Sequence, residues 1–157
     1  MVKRFSWNEI PQDKVVGCGA EAVVFQLSDL LCIKVYGPDK KKHALQEFKV
    51  MKEMAAAGLQ VPCAQEVVVV SVPYGKRVQL PVDNAFSDVA LHSYEGPLEL
   101  IALMREFIPG KVYGSFFPSI KDIHSFLQYL DVCSQKGFGF HKDIHLENFV
   151  LSSRGVY

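Results

Sequence analysis

The chain has 157 residues, 49% of them apolar, and its 17 Lys and Arg balance 17 Asp and Glu, so the formal net charge is zero. That length holds one compact domain or two small lobes sharing a core, and the composition is globular rather than disordered. Charge neutrality gives no electrostatic reason to expect nucleic acid or an anionic membrane as partner, and no apolar run approaches the ~20 residues that span a bilayer.

The N-terminal MVKRFSWNEIPQ lacks the apolar centre of a secretory signal, although an unconventional export signal would leave no such mark. Cys18, Cys32, Cys63 and Cys133 have neither metal-site nor disulfide spacing. Free thiols of this kind fit a reducing compartment, so a cytoplasmic protein is expected.

From Val15 to Tyr36 the pattern predicts an antiparallel meander. Val15 and Val16 lead into the turn Gly17-Cys18-Gly19, Ala22 to Leu27 return, Ser28-Asp29 turn again, and Leu30 to Tyr36 form a further strand. Gly37-Pro38 end it. Ala44, Phe48, Met51 and Ala55 recur at helical spacing, predicting a helix over 40–57 closed by Gly58. The run from Gln65 to Val72 reads as a strand. Proline and glycine punctuate 73–98, with short strands possible at 77–80 and 89–94, and LELIALMREFI (98–108) reads as a buried strand stopped by Pro109-Gly110.

Ser119 to Gln135 predict an amphipathic helix whose apolar stripe is Ile120, Ile123, Leu127 and Leu130, begun by the S-x-x-D cap of Ser119 and Asp122. Gly137 and Gly139 stop it. A polar loop over 140–148, a short strand at Phe149 to Leu151 and a returning strand from Val156 follow. The fold class expected is α+β, with lobes 1–108 and 109–157.

Three constellations carry chemistry. In VGCGAEAVVF (16–25), two glycines between strands let backbone N–H groups approach phosphate oxygens with no Cβ in the way. The same glycines would serve a plain hairpin. Ala22 keeps the approach open, and Val23 first, Val24 second, would cover a base. In CIKVY, Lys34 is either an outward strand lysine or an ammonium aimed at phosphates and held by a helix carboxylate, Glu47 first and Glu53 second. In HKDIHLENFVL (141–151), Asp143 and Asn148 lie five apart on one loop. An Asp there can orient a hydroxyl and take its proton, and the Asn amide oxygen can bind Mg²⁺. His141 and His145 have a spacing that suits zinc on a helix, but the neighbouring glycines predict a loop and the H-E-x-x-H glutamate is missing.

The last segment resembles the catalytic loop of protein kinases, H-R-D-L-K-P-E-N-I-L-L, position for position. The glycine turn, the strand lysine, the helix glutamate and a hinge-like MREFIPG (104–110) follow in that family's order over nearly the whole chain. The resemblance implies a protein-kinase-like fold: an antiparallel β lobe with one helix, then a reduced helical lobe. It implies ATP held by Gly17, Cys18, Gly19 and Ala20, with Val24 over adenine and the base hydrogen-bonded to hinge backbone at Glu106 and Ile108. Lys34 would hold phosphates, Glu47 would position Lys34, and Asp143, Asn148 and His145 would complete the catalytic set, with Mg²⁺ on Asn148. The reaction implied is γ-phosphoryl transfer to a hydroxyl, with a protein as substrate. Met104 or Arg105 would gate the pocket behind adenine.

The sequence also departs from the family. Lys142 stands where many kinases carry the arginine that pairs with a phosphorylated activation segment. His145 replaces the usual lysine, as in small-molecule kinases and some atypical or bacterial kinases. The D-F-G aspartate does not occur by Tyr157. The expectation is therefore a minimal Ser/Thr-kinase-like phosphotransferase, with a pseudokinase or truncated kinase acting as a binding module, or a small-molecule kinase, as alternatives. Nothing in the sequence indicates an oligomeric state.

Overall fold

The computed structural model describes residues 3–82, 90–112, 116–138 and 149–157. They form a mixed α+β chain. In order come β1 (Arg4–Ser6), a turn of 3-10 helix (Trp7–Glu9), β2 (Val15–Cys18), β3 (Ala22–Ser28), β4 (Leu31–Tyr36) and α1 (Lys41–Ala56). Then follow β5 (Ala64–Val72), β6 (Arg77–Val82), β7 (Ala90–Glu95), β8 (Leu98–Glu106), β9 (Lys111–Val112), α2 (Ile120–Gln135), β10 (Val150–Ser152) and β11 (Gly155–Val156). The chain divides into two compact units, Met1–Val50 with Ala64–Phe107 and Met51–Cys63 with Ile108–Tyr157, so α1 crosses the division. The sequence places the boundary at 108/109 and assigns all of 51–63 to the first lobe.

The first unit is built on a six-stranded sheet of order β1-β5-β8-β4-β3-β2, antiparallel except where β1 runs parallel to β5. Strand alternation gives this sheet two unlike faces. One face is a core of Val23, Phe25, Ile33, Val35, Val68, Val70, Leu100, Ala102 and Met104. Val78 and Leu80 of the β6–β7 hairpin join it, as do Trp7 and Ile10. Trp7 meets Phe25 edge to face, with ring centroids 5.7 Å apart. The other face carries Val24, Cys32, Lys34, Tyr36, Leu103 and Arg105, as the register of cross-strand partners requires.

The N-terminal strand and 3-10 turn are absent from the sequence-based expectation. They are nevertheless signalled by S-W-N-E, a capping box in which Asn8 donates its N–H to Ser6 Oγ and Ser6 donates its N–H to Glu9.

Both α-helices stop where glycine was expected to stop them. Gly58 adopts φ +74°, with its N–H bonded to the Ala55 carbonyl and the Leu59 N–H to Met54. Gly137 does the same at φ +83°, with Phe138 N–H on Cys133. These are Schellman closures, which need the left-handed backbone that glycine adopts freely.

In the second unit, α2 starts on the expected cap: Ser119 N–H donates to Asp122 Oδ2 at 2.9 Å and Asp122 N–H donates to Ser119 Oγ at 3.2 Å. The buried side of α2 differs from the expected stripe. Ile120 and Leu127 are 88% and 57% exposed. Of the expected stripe Leu130 turns inward, and with it Phe126 and Tyr129, onto Phe149, Leu151 and Val156. Positions 126, 129, 130 and 133 are also at helical spacing, and the larger aromatic area wins the buried side. β10 is the centre of a small antiparallel sheet of order β11-β10-β9. Residues 51–63 belong to this unit through Gln60, which donates to the Arg154 carbonyl at 2.7 Å and accepts from the Tyr129 hydroxyl at 2.9 Å. Among the described residues no helix is long and apolar enough to cross a membrane.

Trp7 is 3% exposed and closes one end of the main core. Trp7→Ala is expected to lower unfolding stability by about 3–5 kcal/mol, measured by urea denaturation.

Candidate functional site

The site is assembled on the second face of the six-stranded sheet. β4 alternates Ile33 and Val35 into the core with Cys32, Lys34 and Tyr36 on the opposite side. Lys34 therefore projects from a strand whose neighbours bury apolar residues, and it needs a partner. α1 supplies one. Glu47 lies one turn from the fully buried Ala44, so its carboxylate is carried on the sheet-facing side of the helix.

Lys34 Nζ donates to Glu47 Oε2 at 2.6 Å. The Tyr36 hydroxyl donates to the same oxygen, also at 2.6 Å. Arg105 Nη1 stands 3.7 Å from the other oxygen, Oε1. The lysine ammonium also lies over the Tyr36 ring, 5.1 Å from its centroid. Lys34 and Glu47 are 22% and 27% exposed, so the pair is half-buried rather than a surface ion pair.

The electrostatics follow from this packing. Burial pushes the Glu47 carboxyl up, but the Lys34 charge and hydrogen bond, the Tyr36 hydroxyl and the Arg105 charge outweigh it, and the net shift is down. Burial and the adjacent carboxylate push the Tyr36 hydroxyl up, which keeps it a donor. Burial likewise pushes the Cys32 thiol up, and that thiol donates to the Glu106 carbonyl at 3.7 Å.

At the edge of the same sheet, β2 and β3 meet at the glycine turn, closed by the Gly19 N–H on the Ala22 carbonyl at 3.1 Å. Neither Gly17 nor Gly19 has positive φ. A Cβ at Gly19 would meet nothing within 4 Å, and one at Gly17 would only touch Val24 at 3.8 Å. The fold itself thus places no demand for glycine at either position. Cys18, Gly19 and Ala20 are exposed.

Two choices left open by the sequence are decided by strand parity. Val24 pairs with Lys34 and shares its face, whereas Val23 is buried in the opposite core. Arg105 pairs with Cys32 on the lysine face, whereas Met104 belongs to the core. The lysine's partner is Glu47 and not Glu53, which is exposed. In the hinge-like stretch the Phe107 N–H is taken by the Leu30 carbonyl at 2.9 Å, Glu106 presents the carbonyl that Cys32 already contacts, and the Ile108 side chain is buried.

Asp143, His145 and Asn148 lie outside the described residues, as does His141. The structure therefore brings together the glycine turn, Val24, Lys34, Glu47 and Arg105 within one unit. Tyr36 was missed, although its position two residues after Lys34 put it on the same face.

In the second unit a broad cavity of about 610 Å³ runs from Gly110 and Lys111 to the start of α2. Its Ser119 and Asp122 are engaged in the helix cap, and that hydrogen bonding, from the Ser119 side chain and backbone, holds the Asp122 carboxyl below its usual range. No convergent reactive group remains there among the described lining residues.

No protein-family model matches the chain, and no curated protein matches it.

A lowered Glu47 value has a definite pH signature. Its stabilisation is complete above the ordinary value of 4.5 and is lost as pH falls through the lower folded value. Glu47→Gln removes the anion between two cations and should cost about 1–3 kcal/mol at pH 7, since the group is only partly buried. Denaturant titrations of both proteins from neutral to acid pH should show the gap narrowing below that ordinary value.

Proposed function

We propose that this chain is an ATP-dependent phosphotransferase of protein-kinase type, transferring a phosphoryl group to a hydroxyl, with a protein Ser or Thr as the favoured acceptor. The observation that carries the reading is the Lys34–Glu47 pair on the sheet whose β2–β3 hairpin carries the glycine turn. A strand lysine fixed by a helix carboxylate is the arrangement that aims an ammonium at bound phosphates. The glycine turn supports the same reading, because its glycines answer no internal steric or conformational need.

In this mechanism the turn Gly17, Cys18, Gly19 and Ala20, whose Gly19 N–H is already on the Ala22 carbonyl, lies against the phosphates, and Lys34 neutralises their charge. Glu47 keeps the ammonium from swinging to solvent, and Tyr36 keeps Glu47 in place. Val24 covers the base, and backbone at Glu106 and Ile108 pairs with its edge. Asp143 orients the acceptor hydroxyl and takes its proton. Mg²⁺, when bound, neutralises phosphate charge, and Asn148 is the residue assigned to it. Among the described residues no three His, Cys, Asp or Glu side chains gather as a metal site.

Among the described residues, those the reading uses serve binding, which supports a second reading: a nucleotide-binding pseudokinase module that performs no transfer. His145, in place of the usual lysine, keeps a small-molecule acceptor as the alternative to a protein.

Thermal-shift titration with ATP and a labelled-ATP transfer assay separate these readings. Wild type should be stabilised by ATP, Lys34→Met should lose most of that stabilisation, and Asp143→Ala should keep it while transfer falls by ~10²-fold or more. Binding without transfer in wild type would select the module. No ATP binding at all would remove the proposal.

Gly19→Ala offers an independent check. It should leave stability unchanged or raise it by up to about 1 kcal/mol, while weakening ATP binding. Unaltered ATP affinity would make the turn an ordinary hairpin.

A further inference from the structure

Two cations converge on Glu47. Lys34 and Arg105 each bring one positive charge to this carboxylate, and Tyr36 and Cys32 are uncharged neighbours on the same face. Glu21, hydrogen-bonded to His43 at the start of α1, adds its negative charge on the Tyr36 side. Arg105 acts on the neighbouring Cys32 thiol through its charge and a hydrogen bond, but its hold on Glu47 is loose. Its 3.7 Å approach to Glu47 is an ion pair too long for a hydrogen bond, and its buried Nε–H has no acceptor. The side chain as a whole is 26% exposed. An arginine presents five donors in a planar fork that matches phosphate oxygens.

We propose that Arg105 and Lys34, joined through Glu47, form a two-cation seat for a phosphate-class oxyanion. This rests on the phosphate-binding reading of Lys34 and deepens it: the ligand is recognised chiefly by its polyanionic end. Arg105 is then a ligand-binding residue as well as a neighbour of the base pocket. Inorganic tripolyphosphate, which has no base, should itself bind, and the seat gives the guanidinium the acceptors that the protein does not supply.

Calorimetric titration of the full chain with tripolyphosphate, and separately with ATP, tests this. Tripolyphosphate should bind wild type, Arg105→Met should weaken it about tenfold or more, Arg105→Lys should retain part of the affinity, and the double variant with Lys34→Met should abolish it. Because Arg105→Met removes a partner of Glu47 and can compromise folding, a second measurement uses the wild-type chain. In ¹⁵Nε-arginine NMR spectra, the Arg105 Nε–H resonance should move on adding tripolyphosphate, while those of the exposed Arg4, Arg77 and Arg154 should not. An Arg105 resonance that stays fixed, or ATP binding without tripolyphosphate binding, overturns the two-cation seat and leaves the nucleotide reading standing. Failure of both ligands to bind wild type overturns both.

Discussion

One carboxylate organises the functional face. Glu47 sits on the sheet-facing side of α1 and receives hydrogen bonds from Lys34 and Tyr36 on one oxygen, with the Arg105 charge beside the other. A half-buried anion with fewer partners would bear much of its desolvation cost uncompensated. Here the compensation comes from two strands, β4 and β8, so the contact fixes the helix against both. A lysine alone on β4 would have the freedom of a long side chain. Tied at 2.6 Å to a carboxylate that is itself tied to Tyr36, it has one position.

That rigidity depends on the opposite face of the same strands. Ile33 and Val35 are fully buried, and they alternate with Cys32, Lys34 and Tyr36 along six residues. The core beneath, closed by Trp7 and the β6–β7 hairpin, holds β4 flat and in register, and the register decides which side chains face Glu47. A slip of one residue would send Lys34 into the core and Ile33 to the site. Core packing and site geometry are thus the same constraint seen from two sides of one sheet.

Local signals made much of this legible in the sequence. The meander, both helices and their glycine closures announce themselves within a few residues, because caps and turns are short-range chemistry. What escaped was non-local. β1 is three residues long and β9 two, and each exists only by pairing with a distant strand. The choice between Val23 and Val24, or between Met104 and Arg105, is a question of strand parity, which needs the neighbouring strand to answer. The buried side of α2 was misassigned for a related reason: two apolar stripes compete on one helix, and only the partner, Phe149 with Val156, selects between them. Arg105 on β8 meets Glu47 on α1, two elements far apart in the sequence and beyond the reach of any spacing rule. The most specific motif, HKDIHLEN, lies outside the described residues, so its weight is that of sequence alone.

The Lys34–Glu47 pair could be a structural ion pair and nothing more. Three features weigh against that. As a stabilising device a half-buried pair is poor, since desolvation takes back much of the attraction and apolar residues of similar size would do as well. Arg105 adds a second cation to a carboxylate that already has one, and it leaves a buried donor without an acceptor. Gly17 and Gly19, nearby on the same sheet, forgo side chains that the fold has room for, at an entropic cost. Together they leave two cations on the sheet that also carries the glycine turn. On the proposed reading, a multiply charged oxyanion accounts for the second cation and for the absent Cβ atoms together. No purely structural role accounts for the glycines and the second cation by the same cause.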